Sequence, residues 1–93
     1  MQDNEFEWSD RKAADNYADH GITFEMARDA FGDPFAVDKS DDREDYSEDR
    51  YNLVGMREAR LLHVTYTYRG DRIRIISARL AERRERRWYH EGN

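Results

Sequence analysis

The sequence predicts an α+β fold in which two N-terminal helices pack on a small antiparallel sheet and a further helix follows the sheet. Three observations carry this. Two capped stretches of helical periodicity occupy residues 9–33. Three runs rich in β-branched and aromatic residues follow between 50 and 78, joined by short links. An arginine-rich helical stretch then begins at Ala81.

In chain order, Phe6-Glu7-Trp8 reads as a short edge strand. Ser9 or Asp10 offers a side-chain oxygen to cap the first helix. Ala13, Ala14, Tyr17 and Ala18 recur at helical spacing and form its expected apolar stripe. Gly21 ends the helix with a left-handed residue, and His20 lies in the last turn, where the helix dipole favours positive charge. Thr23 caps the second helix, whose apolar face is Phe24, Ala27, Ala30 and Phe31, and Asp33-Pro34 stops it. The short Gly21-Ile22 link predicts an antiparallel or steeply crossed pair.

Asp38 to Asp49, DKSDDREDYSED, is the most acidic segment. It lacks the glycine and the terminal glutamate of a calcium loop. It is expected to be a solvated loop; a sharper alternative is that it screens the basic surface until a partner or RNA arrives. The predicted strands are Arg50 to Met56, Leu61 to Tyr68 and Arg72 to Ala78, a three-stranded meander. Ala81 to Glu91 is the final helix, carrying Trp88 and Tyr89, with Gly92 at its end.

Side chains alternate along strands. One face of this sheet collects Tyr51, Leu53, Leu62, Val64, Tyr66, Tyr68, Ile73 and Ile75 and is expected to meet the helix pair. The other carries Arg50, Asn52, His63, Thr65, Arg72 and Arg74. Such a face is either an ordinary solvated surface or a rigid platform for phosphates and bases. Ile76-Ser77-Ala78-Arg79 breaks strict alternation, which predicts a bulge or the strand end and would aim Arg79 toward the polar face.

Ninety-three residues suit one domain, spanning 1–93. Charged residues at 40% outnumber hydrophobic ones at 38%, yet 13% aromatics are too many for a disordered chain. The absence of cysteine excludes disulfide and thiolate chemistry. No apolar run is long enough to span a bilayer and the N-terminus lacks a signal-peptide pattern, so a cytoplasmic location away from membranes is expected. Net charge is −5, but it is unevenly spread. Residues 1–50 hold six basic and sixteen acidic residues; residues 51–93 hold ten arginines and five acidic residues. That asymmetry points to an anionic ligand for the second half, and arginine's planar fork suits phosphate. A composition biased toward arginine for other reasons is the alternative.

The chain resembles the BrnT toxins of bacterial type II toxin–antitoxin systems. The resemblance runs through Phe6-Glu7-Trp8, Lys12-Ala13, Asn16, His20-Gly21-Ile22-Thr23-Phe24, Asp33-Pro34, Glu48-Asp49-Arg50, the block from Arg69 to Arg79, and Glu85 and Tyr89. Ser9 departs from the acidic residue that family members often carry after the tryptophan. The resemblance implies a RelE-like fold and RNA cleavage that halts translation. It also implies a BrnA-type antitoxin that dimerises, binds DNA and assembles with the toxin as a hetero-oligomer.

RNA cleavage by its own 2′-hydroxyl needs proton transfer and stabilisation of charge on phosphorus, and it needs no cofactor or metal. The histidines are scattered, without paired metal-ligand spacing. Arg74 and Arg79 are the expected charge stabilisers; an ion pair with Glu82 or Glu85 is the alternative for each. His20, Glu48, Tyr89 and His63 are candidates for proton transfer, although His20 can equally be a helix cap. Lys12, Arg50, His63, Arg72 and Arg83 are the expected RNA contacts. Arg50, Arg74 and Arg79 are expected to converge on one phosphate. Tyr66 and Trp88 are expected in the core. A non-catalytic module that binds nucleic acid or protein through the arginine-rich half is the competing function.

Overall fold

The computed structural model describes residues 1–41 and 48–92. Its elements are β1 (Phe6–Glu7), α1 (Asp10–His20), α2 (Phe24–Ala30), β2 (Val37–Asp41), β3 (Arg50–Arg57), β4 (Arg60–Arg69), β5 (Arg72–Leu80) and α3 (Arg83–Glu91). The strands form one sheet in the order β1-β5-β4-β3-β2. β1 runs parallel to β5 and the other neighbours are antiparallel. The α+β class stands, but the sheet is five-stranded and mixed rather than a small antiparallel one. Among the described residues no helix is long and apolar enough to cross a membrane.

The caps form where the side chains dictate. Ser9 Oγ accepts from Lys12 N at 3.2 Å, and Thr23 Oγ1 from Met26 N at 3.0 Å. Gly21 takes φ 68°, and its N–H closes on Tyr17 O. Phe24, Ala27 and Ala30 are buried from α2 against Leu53, Leu62, Val64, Tyr66 and Ile75. Trp8 meets Phe24 edge-on, and Phe31 bridges Phe6 and Tyr66 in the same way. The end of α2 comes so near β3 that a Cβ on Gly55 would lie 2.6 Å from Ala30 O.

The expected stripe on α1 is corrected in part, since of its four residues Ala13 alone packs against the core. Ala14, Tyr17 and Ala18 are exposed, and the residue α1 buries is Asn16. β1 pairs with β5 only at Ile73 and Arg74, so the same edge of β5 needs another partner further along. Asn16 supplies it. Its Oδ1 accepts from Ala78 N at 3.0 Å, and its Nδ2 donates to Ala78 O at 2.8 Å and to Ile22 O at 2.9 Å. One carboxamide acts as a single residue of neighbouring strand and ties in the α1–α2 link.

The acidic segment is also corrected in part. Its first residues are strand rather than loop, because Val37 opposes Val54 and Asp41 opposes Arg50, while Tyr66 Oη donates to Asp38 at 2.8 Å. Residues 42–47, and with them most of the screening idea, lie outside the described residues.

A second core fills part of the face away from α2. Val54, Leu61, Ala81 and Tyr89 are buried there, with Val37, Met56 and Trp88 packed around them. Asp33 joins this layer to the first: it accepts from Phe35 N, Met56 N and Tyr89 Oη at 2.9, 2.7 and 2.7 Å. Its burial would raise its pKa, but these donors hold the carboxyl below the ordinary range.

Asn16→Ala leaves three buried backbone groups without partners and is expected to cost roughly 3 kcal/mol or more in urea unfolding. Asn16→Asp keeps only the acceptor for Ala78 N–H and is expected to recover little of that loss. A cost below about 1 kcal/mol for Asn16→Ala would contradict the role given to this side chain.

Candidate functional site

Strict alternation would place Ser77 and Arg79 on the Ile73–Ile75 face, against the helices. The pairing shifts between Thr65 and Tyr66, whose partners are Ser77 and Ile75, so Ile76 is an extra residue. The bulge turns Ala78 into the core and Ser77 and Arg79 to the other face, where Arg79 stands opposite His63. The break in alternation at Ile76 thus has the consequence the pattern predicts.

α3 completes the group. Glu85, in its first turn, accepts both arms of the Arg79 guanidinium at 2.8 Å each. Glu82 N also donates to Glu85 Oε1 at 2.8 Å, which ties the carboxylate to the start of the helix. His63 Nε2 lies 3.6 Å from Glu85 Oε2. The side chains of His63 and Glu85 are 10% and 12% exposed, while that of Arg79 is 32% exposed. Arg79 is therefore the member that solvent reaches most. Burial alone would raise the pKa of Glu85. The Arg79 hydrogen bond, the Glu82 N–H and the charges of His63 and Arg79 outweigh it and bring the group down to about 2.

A cleft of about 330 Å³ opens beside this group, lined by Lys39, Asn52, His63, Arg84, Glu85 and Trp88. Thr65 Oγ1 donates to Asn52 Oδ1 at 2.9 Å across the β3–β4 pair. The Lys39 ammonium sits 5.0 Å above the Trp88 ring.

Further along the same face, Arg74 Nη1 donates to Glu7 at 2.6 Å, and Arg50 lies 3.8 Å from Glu48. Glu48 also faces Arg69 at 3.6 Å. Arg72 Nε donates to Asp3 O at 2.7 Å. The expected convergence of Arg50, Arg74 and Arg79 is corrected: each lies against a different carboxylate, Glu48, Glu7 and Glu85. Arg74 and Arg79 are also separated by roughly 13–16 Å of strand, at about 3.3 Å per residue. The ion-pair alternative describes Arg79, with Glu85; for Arg74 the partner is Glu7 instead.

His20 and Lys12 are exposed on α1, on the α2 side of the sheet. Tyr89 is buried in the second core with its hydroxyl on Asp33, and that bond and its burial raise its pKa. Arg83 is exposed in the first turn of α3. Lys39, Arg84 and the cleft-facing position of Trp88 went unread in the sequence. Lys39 was hidden because β2 was, and Trp88 because an aromatic on a short helix ordinarily signals core.

A family model described as "Ribonuclease toxin, BrnT, of type II toxin-antitoxin system" matches residues 8–85. The chain belongs to the BrnT family. A comparison with curated proteins returns no match. The BrnT description names a ribonuclease toxin of a type II toxin–antitoxin system, which implies an RNA target and an antitoxin partner. The span that matches BrnT takes in Asn16, the bulge, His63 and Arg79 and ends on Glu85.

In this BrnT chain the depressed Glu85 pKa ties stability to pH. A carboxyl lowered from 4.5 to about 2 contributes stability that is fully present above about pH 4.5 and is lost as pH falls toward 2. Glu85→Gln is expected to lower stability at pH 7 by on the order of 2–3 kcal/mol. It is also expected to flatten the pH dependence between 4.5 and 2, read by urea unfolding at several pH values. A variant as steep as the parent in that window would refute the assignment.

Proposed function

We propose that this BrnT chain is an endoribonuclease that works without a metal and is silenced by a BrnA-type antitoxin, a DNA-binding dimer that caps the cleft beside α3. In this reading residues 1–93 act as one toxin domain of RelE type. Two helices on one face of the sheet and a C-terminal helix on the other support that likeness.

The observation that carries the reading is the joined group of His63, Arg79 and Glu85, of which His63 and Glu85 line a cleft. The RNA's 2′-hydroxyl attacks the neighbouring phosphorus, its proton passes to water, and the bond to the 5′-oxygen breaks. Arg79 holds the non-bridging oxygens and neutralises the charge that builds on them. His63 gives a proton to the departing 5′-oxygen; imidazole exchanges protons near neutral pH, and here it stands beside an ionised carboxylate. Glu85 does not touch RNA but sets the orientation of both. Arg50, Arg72, Arg74, Arg83 and Arg84 grip the flanking phosphates. Glu48 orders Arg50, and Tyr89 anchors α3. His20 and Lys12, across the sheet from the cleft, stand outside the reaction.

The test is cleavage of RNA by the purified protein in excess chelator. Cleavage is expected to persist. His63→Ala is expected to slow it by roughly 10²- to 10⁴-fold. Arg79→Ala is expected to slow it by roughly 10²- to 10³-fold, with the far-ultraviolet circular dichroism unchanged. RNA affinity is expected to fall steeply with salt as counterions are released. Binding without cleavage, or cleavage that stops on chelation, would overturn this mechanism.

A further inference from the structure

A phosphate is the same at every position of an RNA, so the group around Arg79 cannot by itself choose where to cut. Choice requires contact with a base. The cleft next to Glu85 has the parts for it. Its volume of about 330 Å³ is room for a single nucleotide. Trp88 packs against the second core and is half-buried, and the ammonium of exposed Lys39 lies over one face of its ring. Base–aromatic stacking of this kind holds single-stranded RNA. Asn52 is 6% exposed in the middle of β3 and lines the same cleft. Its oxygen is taken by the Thr65 hydroxyl. Its amide NH₂ has no acceptor among the described residues. With its oxygen on Thr65, the carboxamide turns its donors toward the cleft.

We propose that this cleft is a base-reading subsite for the nucleotide next to the scissile phosphate, with Trp88 as its stacking wall and Asn52 as the residue that sets specificity. This deepens, and rests on, the ribonuclease reading above. The base displaces Lys39 from the indole face, and the freed ammonium and Arg84 remain at the mouth for the phosphates. An Asn with both carboxamide groups available pairs with adenine, giving and receiving a hydrogen bond. Asn52, with its oxygen on Thr65, gives. It favours bases that present a carbonyl on the edge they show it, uracil and guanine, over adenine and cytosine, which present an amino group there. Thr65 is the positioning residue, since its hydroxyl fixes which end of the carboxamide faces the ligand.

Two measurements test this, and they separate failure of the subsite from failure of the ribonuclease reading. The first is titration of the protein with the four 3′-nucleoside monophosphates, followed by tryptophan fluorescence. Trp8 is 4% exposed in the first core, so the response comes from Trp88. Uridine and guanosine monophosphates are expected to quench it with roughly 5- to 100-fold higher affinity than the adenosine and cytidine ones. Trp88→Phe is expected to abolish the signal. Equal affinities, or no quenching, would overturn the subsite whether or not RNA is cut.

The second is cleavage of oligonucleotides that differ at one base. The parent is expected to favour uracil and guanine. Asn52→Asp, which replaces donors by acceptors, is expected to reverse the preference toward adenine and cytosine. If that variant does not fold, Thr65→Val, which releases the carboxamide to turn, is expected to relax the preference. Parent cleavage indifferent to base, or an Asn52→Asp preference like the parent's, would sink the subsite and leave the ribonuclease standing. A parent that cuts no RNA would sink the ribonuclease, and the titration would still decide the subsite.

Discussion

The structure depends on a single buried carboxamide. Asn16 meets both backbone groups of Ala78 at the point where β5 has outrun the two residues of β1 that pair with it. Without that contact this edge of β5 would be buried with the donor and acceptor of Ala78 unmatched, a costly state. The same bonds hold the residue next to Arg79, just past the extra residue Ile76. Fold and site therefore share a fastening. The side chain that fixes where α1 lies also fixes the path of the backbone that delivers the guanidinium.

The sheet then separates two tasks by face. The α2 side is apolar and aromatic, and it provides rigidity. The α3 side holds a smaller core next to a polar cleft, so charged groups there have a firm wall behind them and open space in front. Glu85 sits at the boundary. It is buried enough that its bonds to Arg79 and Glu82 are weakly screened by water, and it is close enough to the cleft to hold groups that reach it. A buried carboxylate with a forked arginine partner is a precise positioning device because moving either side chain would strand a charge.

Periodicity revealed most of the elements. The three main strands, both N-terminal helices with their caps, the final helix and the irregularity near Ile76 are all local in origin, set by alternation and by capping chemistry. Two features were not local. β2 is strand only because Val37 and Asp41 find Val54 and Arg50, seventeen and nine positions away; by composition Asp38 to Asp49 is simply polar. α1 defeats the usual rule because its inward residue is an amide and its tyrosine is exposed. The site was legible to the same degree. His63 and Arg79 could be placed on one face from alternation and the bulge. Which carboxylate Arg74 would take could not, since Glu7 reaches it only through the pairing of β1 with β5. The arginines therefore looked convergent in sequence and are dispersed in space.

The Asn16–Ala78 contact joins residues 62 positions apart, and β1 finds its partner only in β5. During synthesis the N-terminal part of a chain emerges first. Here α1 and α2 leave the ribosome well before the strands that cover their inner surfaces exist. Glu85 emerges later still, so the pair it makes with Arg79 and its contact with His63 form only after it has been made. The fastening of β5 and the Arg79–Glu85 pair therefore come together in the same late step.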